Sequence, residues 1–202
     1  MNKKFGYIKS QLDLRDYKVY GLTSNDDLPT EFSLSGVPIK NQDNVNSCVA
    51  FVLSEILEYS MENKYSTGWI YGYRPSDYYQ GKGMSPRDAL KTIYNLGAVE
   101  EYQFKYNLEI PDIKNLVDNN LNKLKPYASN CKISGYVKLS TVNDIKSWIY
   151  DKKIPILIAI QTNGLELEDN IIKIPNDYSN TGHALMVIGW NNDGFIVQNS
   201  WR

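Results

Sequence analysis

The sequence predicts an α+β fold in two lobes, and three observations carry that reading. Apolar residues recur at helical spacing over 48–125. Alternating or continuous apolar runs fill 131–202. The last two of these runs flank the tight turn Asn191-Asn192-Asp193-Gly194, which makes them an antiparallel hairpin. With 202 residues, 42% of them hydrophobic, the chain can bury a core within one domain spanning 1–202.

Residues 1–40 show no sustained period. Pro29 and Pro38 hold their neighbours extended, and 1–27 is expected as a surface-packed extension, with Leu28, Phe32 and Val37 as anchors behind it. A first helix is predicted over 48–65. Val49, Val52, Leu53, Ile56 and Leu57 form its face, Ser47 its N-cap, and Ser66-Thr67-Gly68 its stop. Residues 69–86 read as an aromatic loop, with Trp69, Tyr71, Tyr73, Tyr78 and Tyr79 ahead of Gly81 and Gly83. Pro86 opens a second helix with Leu90, Ile93, Tyr94 and Leu96 on its face and Gly97 as its end. A third fits 111–124, with a stripe of Ile113, Leu116, Val117, Leu121 and Leu124. Strands follow at 133–139, 154–160, 184–190 and 194–198. A short helix over 141–150 turns Val142, Ile145, Trp148 and Ile149 inward.

Bulk properties exclude several classes of function. The net charge is -1 with no basic stripe, and arginine occurs only at 15, 74, 87 and 202, so neither nucleic acid nor an anionic membrane is an expected partner. No apolar run nears the roughly 18 residues needed to span a bilayer. Residues 1–7 lack the apolar stretch of a secretory signal. High lysine, asparagine, isoleucine and tyrosine usage suits an AT-rich bacterium or its phage. The expected location is cytoplasmic or phage-associated, with no cofactor and no metal.

The chain has two cysteines and one histidine. A lone cysteine is ordinarily a small buried packing residue. Cys48, however, falls where a polar loop meets the first helix, and a helix N-terminus favours a thiolate. His183 opens the first hairpin strand and Asn199 follows the second, 16 residues later, so the hairpin brings them together. An amide there can hold the imidazole in one orientation. A cationic His183 beside Cys48 would lower the thiol pKa further. Gln42, six residues before Cys48, can aim its carboxamide at the same point as the Cys48 backbone N–H. Two such donors form an oxyanion hole worth on the order of 3 kcal/mol each.

Gln42, Ser47-Cys48, Ala50-Phe51, Gly182-His183-Ala184 and Asn199-Ser200-Trp201 together resemble the motifs of the papain-like cysteine peptidases, the C1 family, in order and spacing. Leu28-Pro29-Thr30-Glu31-Phe32 and Pro38-Ile39-Lys40-Asn41-Gln42 resemble that family's mature N-terminus. The likeness covers 28–202. It implies a papain-like fold, with a helical lobe (48–125) and an antiparallel sheet or barrel (131–202) enclosing a cleft. It also implies roles. Cys48 would attack the scissile carbonyl, His183 would carry the proton, and Asn199 would orient His183. Trp201 would shield that hydrogen bond, and Gln42 would bind the oxyanion. Gly83 would pair with an extended polypeptide substrate, with Met84 beside it, and Gly182 and Ala184 would line the pocket.

Departures from the pattern carry information as well. The family's usual disulfide aligns with Val45 and Gly81, so both halves are replaced together, as suits a reducing compartment. Loop glycines are replaced by Asp43 and Asn46, and the aromatic residue after the nucleophile by Val49, which implies a narrower or more polar mouth. The 27 residues before Leu28 are too few for the long inhibitory pro-segment of secreted relatives, so no zymogen is expected. Were the chain truncated after Arg202, the edge at 195–198 could pair with another chain; oligomeric state is left open. The leading expectation is peptide-bond hydrolysis through an acyl-enzyme. The alternatives are an acyl transferase of the same chemistry and a catalytically silent peptide-binding or assembly module.

Overall fold

Cys48–Met61 forms α1, and ten of its 14 residues are buried. Ser47 occupies the N-cap, its carbonyl accepting from the Phe51 N–H at 3.1 Å. The helix ends where Glu62 takes a left-handed conformation (φ 59), four residues before the predicted stop. Burial of Val49, Val52, Leu53 and Leu57, each worth about 1.5–3 kcal/mol, makes α1 the spine of the larger apolar core.

The computed structural model describes residues 5–13, 16–17, 19–74, 83–105, 110–161, 166–173 and 182–201, with backbone alone at 110–112 and 166–167. Within them α2 is Thr67–Gly72, α3 Pro86–Asn95, α4 Ile110–Ala128 and α5 Val142–Lys152. The sequence reading made 69–72 a loop. The segment is helical because Ser66 accepts from the Trp69 N–H, and it is buried on every side, so it carries no amphipathic period. Tyr78, Tyr79 and Gly81 lie outside the described residues. Helix α5 starts at a capping box in which Thr141 and Asp144 satisfy each other's backbone N–H groups. Val142, expected inward, is 59% exposed in its first turn.

The strands are β1 Phe32–Ser33, β2 Ile156–Gln161, β3 Glu166–Glu168, β4 Ile171–Lys173, β5 Gly182–Asn191 and β6 Gly194–Gln198. Strand β5 is central. It pairs antiparallel with β2 (Gln161↔Gly182 to Ile156↔Val187) and with β1 (Phe32↔Trp190), and through the predicted hairpin with β6. Among the described residues the sheet is open and forms no closed barrel. The expected strand at 133–139 is not formed: the segment is mostly half-buried and pairs with no strand among the described residues. The hairpin β3–β4 escaped the sequence reading, being short and polar. Val45 packs into the larger core at the expected disulfide position. No helix among the described residues is long and apolar enough to cross a membrane.

The two-residue strand β1 ties the N-terminal half to the sheet, and Lys40 ties the same stretch to α1. The Lys40 N–H donates to Glu55 Oε1 at 3.2 Å, and its Nζ lies 3.5 Å from Glu58 Oε2. Burial raises the Glu55 carboxyl from 4.5 to about 7. The neutral acid is the favoured form in the folded state. Its contribution to stability is therefore complete below pH 4.5 and is lost as pH rises through about 7, an amount on the order of 3 kcal/mol. Glu55→Gln should remove this slope. Urea unfolding at pH 4.5 and pH 8 measures it, and an unchanged slope in the variant would refute the assignment.

Candidate active site

The loop before α1 is pinned from both sides. The Gln42 N–H donates to the Ser200 carbonyl at 2.9 Å, and the Ser47 N–H to the Val45 carbonyl at 2.8 Å. Asp43, at an expected glycine position, has φ 48. It is supported by Asn41, whose Nδ2 donates to its carboxylate at 2.6 Å. These bonds deliver Cys48 to the first position of α1, fully buried. Backbone groups of Ala184, Gly6, Val49 and Cys48 itself lie against its thiol and act to lower its pKa, so the first residues of β5 lie beside it.

His183 is fully buried next to Ala184. Its Nε2 meets Asn199 Oδ1 at 2.8 Å. Because the Asn199 oxygen also accepts from the Ser200 N–H at 2.8 Å, it acts as an acceptor and Nε2 carries the hydrogen. Trp201 stacks on the imidazole, with ring centres 3.9 Å apart and planes 15° apart. The ring is held by a hydrogen bond at its edge and by an indole on its face.

Gln42 is also fully buried. Its Nε2 donates to the Val45 carbonyl at 3.0 Å, and its Oε1 accepts from Ser200 Oγ at 2.6 Å. Ser200 thus fixes both the backbone and the carboxamide of Gln42. Sequence reasoning gave Ser200 no role, although it stands between Asn199 and Trp201.

The family model for the papain family of cysteine proteases matches residues 33–202. The chain belongs to that family. It is accordingly a hydrolase of the peptidase class. Among solved structures it is similar to xylellain, a cysteine protease from Xylella fastidiosa (20% identity, TM-score 0.78, covering 99% of this chain and 85% of that one). It is also similar to digestive procathepsin L 3 of Tenebrio molitor larval midgut (17% identity, TM-score 0.63, 93% and 64%). A third is a Carica candamarcensis cysteine protease solved in complex with E-64 (18% identity, TM-score 0.57, 86% and 83%). No curated protein matches the chain.

In this papain-family chain the cleft holds a segment of the chain itself. Residues 5–8 form a strap across it. The Tyr7 N–H donates to the Gly182 carbonyl at 2.9 Å, the Met84 N–H to the Gly6 carbonyl at 2.9 Å, and the Ile8 N–H to the Met84 carbonyl at 3.1 Å. The Tyr7–Met84 bridge is parallel and the Tyr7–Gly182 bridge antiparallel. Phe5 stands edge-on to His183 and Trp201 at 6.1 and 5.8 Å. The fit demands glycine on both sides. A Cβ on Gly83 (φ 80) would fall 2.1 Å from the Gly6 carbonyl oxygen, and one on Gly6 would fall 2.2 Å from that of Asn46.

The sequence predicts that 1–27 simply packs on the surface. The structure corrects this at residues 5–8, where Gly6 is buried against Cys48. Gly83 permits the close approach, but Met84 makes both backbone hydrogen bonds. One signal was present in the sequence: a glycine between two aromatic residues, Phe5-Gly6-Tyr7, suits an extended strand seated against another backbone.

The thiol itself departs from what its position suggests. A helix N-terminus and a nearby imidazole lead one to expect a depressed pKa. Burial instead pushes Cys48 up from 9.0 to about 11, and the backbone hydrogen bonds only partly offset it. With the strap in place the thiol is neutral at pH 7. Carbamidomethylation of Cys48 by iodoacetamide should therefore be slow at pH 7 and climb about tenfold per pH unit toward pH 11. Peptide mapping of the labelled protein measures this, and a rate already on its plateau at pH 7 would contradict it.

Proposed function

We propose that the chain is a cysteine peptidase acting through a Cys48 thiolate, a His183 imidazolium and an acyl-enzyme, and that the strapped form is its latent state. The carrying observation is the ordered imidazole. Asn199 holds Nε2–H, Trp201 covers the ring, and Ala184, next in the chain, contacts the Cys48 thiol. With Nε2 committed to Asn199, Nδ1 is the nitrogen that exchanges a proton with the thiol.

When the strap leaves, water and a peptide enter. The Cys48 proton passes to His183, giving the ion pair. The thiolate sulfur adds to the peptide carbonyl carbon, and the oxyanion is bound by the Cys48 N–H and the Gln42 carboxamide. His183 returns its proton to the amine as the C–N bond breaks, leaving a thioester on Cys48. Water, deprotonated by His183, then releases the acid and restores the thiol. Met84 and Gly182 supply the backbone groups for an extended chain, since they already bind one in the strap. Gly83 gives that chain room, and Ala184 floors the site. Nothing in the strap is set for cleavage, because its Gly6 carbonyl is turned to the Met84 N–H.

The test uses Gly6→Val, which expels the strap while leaving every cleft residue intact. This variant should hydrolyse a fluorogenic peptide library. Adding Cys48→Ala or His183→Ala should lower kcat by at least about a thousandfold, and Asn199→Ala by about ten- to a hundredfold. In the same background Ser200→Ala should lower kcat by about fivefold or more with little change in KM, since it loosens an oxyanion donor without touching the peptide. Hydrolysis surviving in Cys48→Ala would overturn the mechanism. Rapid Cys48 labelling without turnover of any peptide would favour a silent peptide-binding module, and aminolysis outrunning hydrolysis would favour a transferase.

A further inference from the structure

Arg87 stands in the first turn of α3, where a cation opposes the helix dipole. It is compensated by the arm that leaves the cleft. Its guanidinium grips the Asp16 carboxylate through two hydrogen bonds of 2.5 and 2.6 Å from Nη2, and it donates from Nη1 to the Gln11 carbonyl. The Arg87 backbone N–H donates to Ser10 Oγ at 3.3 Å. Both side chains of the ion pair are 15% exposed, so solvent screens the pair only in part. Met84 and Arg87 lie three residues apart in one stretch. The first pairs with the strap inside the cleft, and the second clamps the arm as it emerges.

We propose that the Arg87–Asp16 ion pair, with Ser10 and Gln11, is a latch that holds the strap over Cys48, so that breaking it opens the site. This rests on the reading of the strap as a plug. Ile8 is the last residue bonded within the cleft, and Ser10 is held only two residues further on. With the latch closed, a strap that slips out is kept beside its groove by that short tether. Further along the arm, the Tyr17 carbonyl accepts from the Lys138 N–H at 3.2 Å, nine residues from Ile8. Effective concentration falls as a tether lengthens, so freeing the arm from Arg87 makes the strap return to its groove less readily. Further back, Thr23 is tied to Asp151 and Ser147 of α5, so the arm stays on the protein when the latch opens.

Iodoacetamide labelling of Cys48 at pH 7 tests the latch, with Cys131 as the internal reference. Arg87→Gln combined with Ser10→Ala, which removes all the bonds of the latch, should label Cys48 about tenfold faster than wild type, Asp16→Asn and Arg87→Gln alone about threefold faster, and Gly6→Val fastest of all. About 0.5 M salt should speed the wild type and leave Asp16→Asn unchanged. The exchanged pair, Asp16→Arg with Arg87→Asp, should return toward the slow rate, which a merely structural lesion would not do. If Gly6→Val is fast while Asp16→Asn and Arg87→Gln match wild type, the latch is refuted and the plug stands. If Gly6→Val is as slow as wild type, the plug itself fails and the latch with it.

Discussion

The seam between the first turn of α1 and the first residues of β5 is the contact on which the rest depends. It sets the Cys48 thiol against the backbone of Ala184, the residue after His183 in the chain. Each partner is over-determined. Helix α1 is buried along nearly its whole length, and β5 is gripped by β1, β2 and β6. Neither can shift by a residue without exposing apolar side chains or turning a strand face over. Rigid elements thus hold Cys48 and His183 in place, and the strap and the loop before α1 lie around them.

Where local pattern and final environment agree, the sequence could be read. Helix α1 shows its face in Val49, Val52, Leu53 and Leu57. The β5–β6 hairpin is announced by its turn, and the hairpin by itself makes His183 and Asn199 neighbours. Reading failed where environment overrode pattern. Helix α2 is buried all round, so it has no period to detect. Residues 133–139 alternate like a strand but pair with no strand among the described residues. The strap was illegible for a deeper reason. Its partners, Met84 and Gly182, are far away in the chain, and backbone pairing across such distances leaves almost no mark on composition.

The state of the thiol shows the same division. A helix start favours a thiolate, yet burial in the folded chain raises the Cys48 pKa and keeps the thiol neutral. Gly6 of the strap is among the backbone groups that partly offset the rise. Electrostatic activation and steric closure are therefore opposed on one sulfur atom. The closed form conceals the reactivity that the open form would show, and the balance between them lies outside the cleft, along the arm.

Because His183 is the only histidine, its ring nitrogens report the central claim without interference from any other residue. The decisive measurement is a long-range proton–nitrogen NMR spectrum of the imidazole at pH 7, recorded on wild type and on Gly6→Val. The account predicts a neutral ring protonated at Nε2 in the strapped wild type. In Gly6→Val it predicts an imidazolium, which Cys48→Ala should return to neutral. A ring protonated at Nδ1 alone, or a charge state indifferent to both the strap and Cys48, would contradict it.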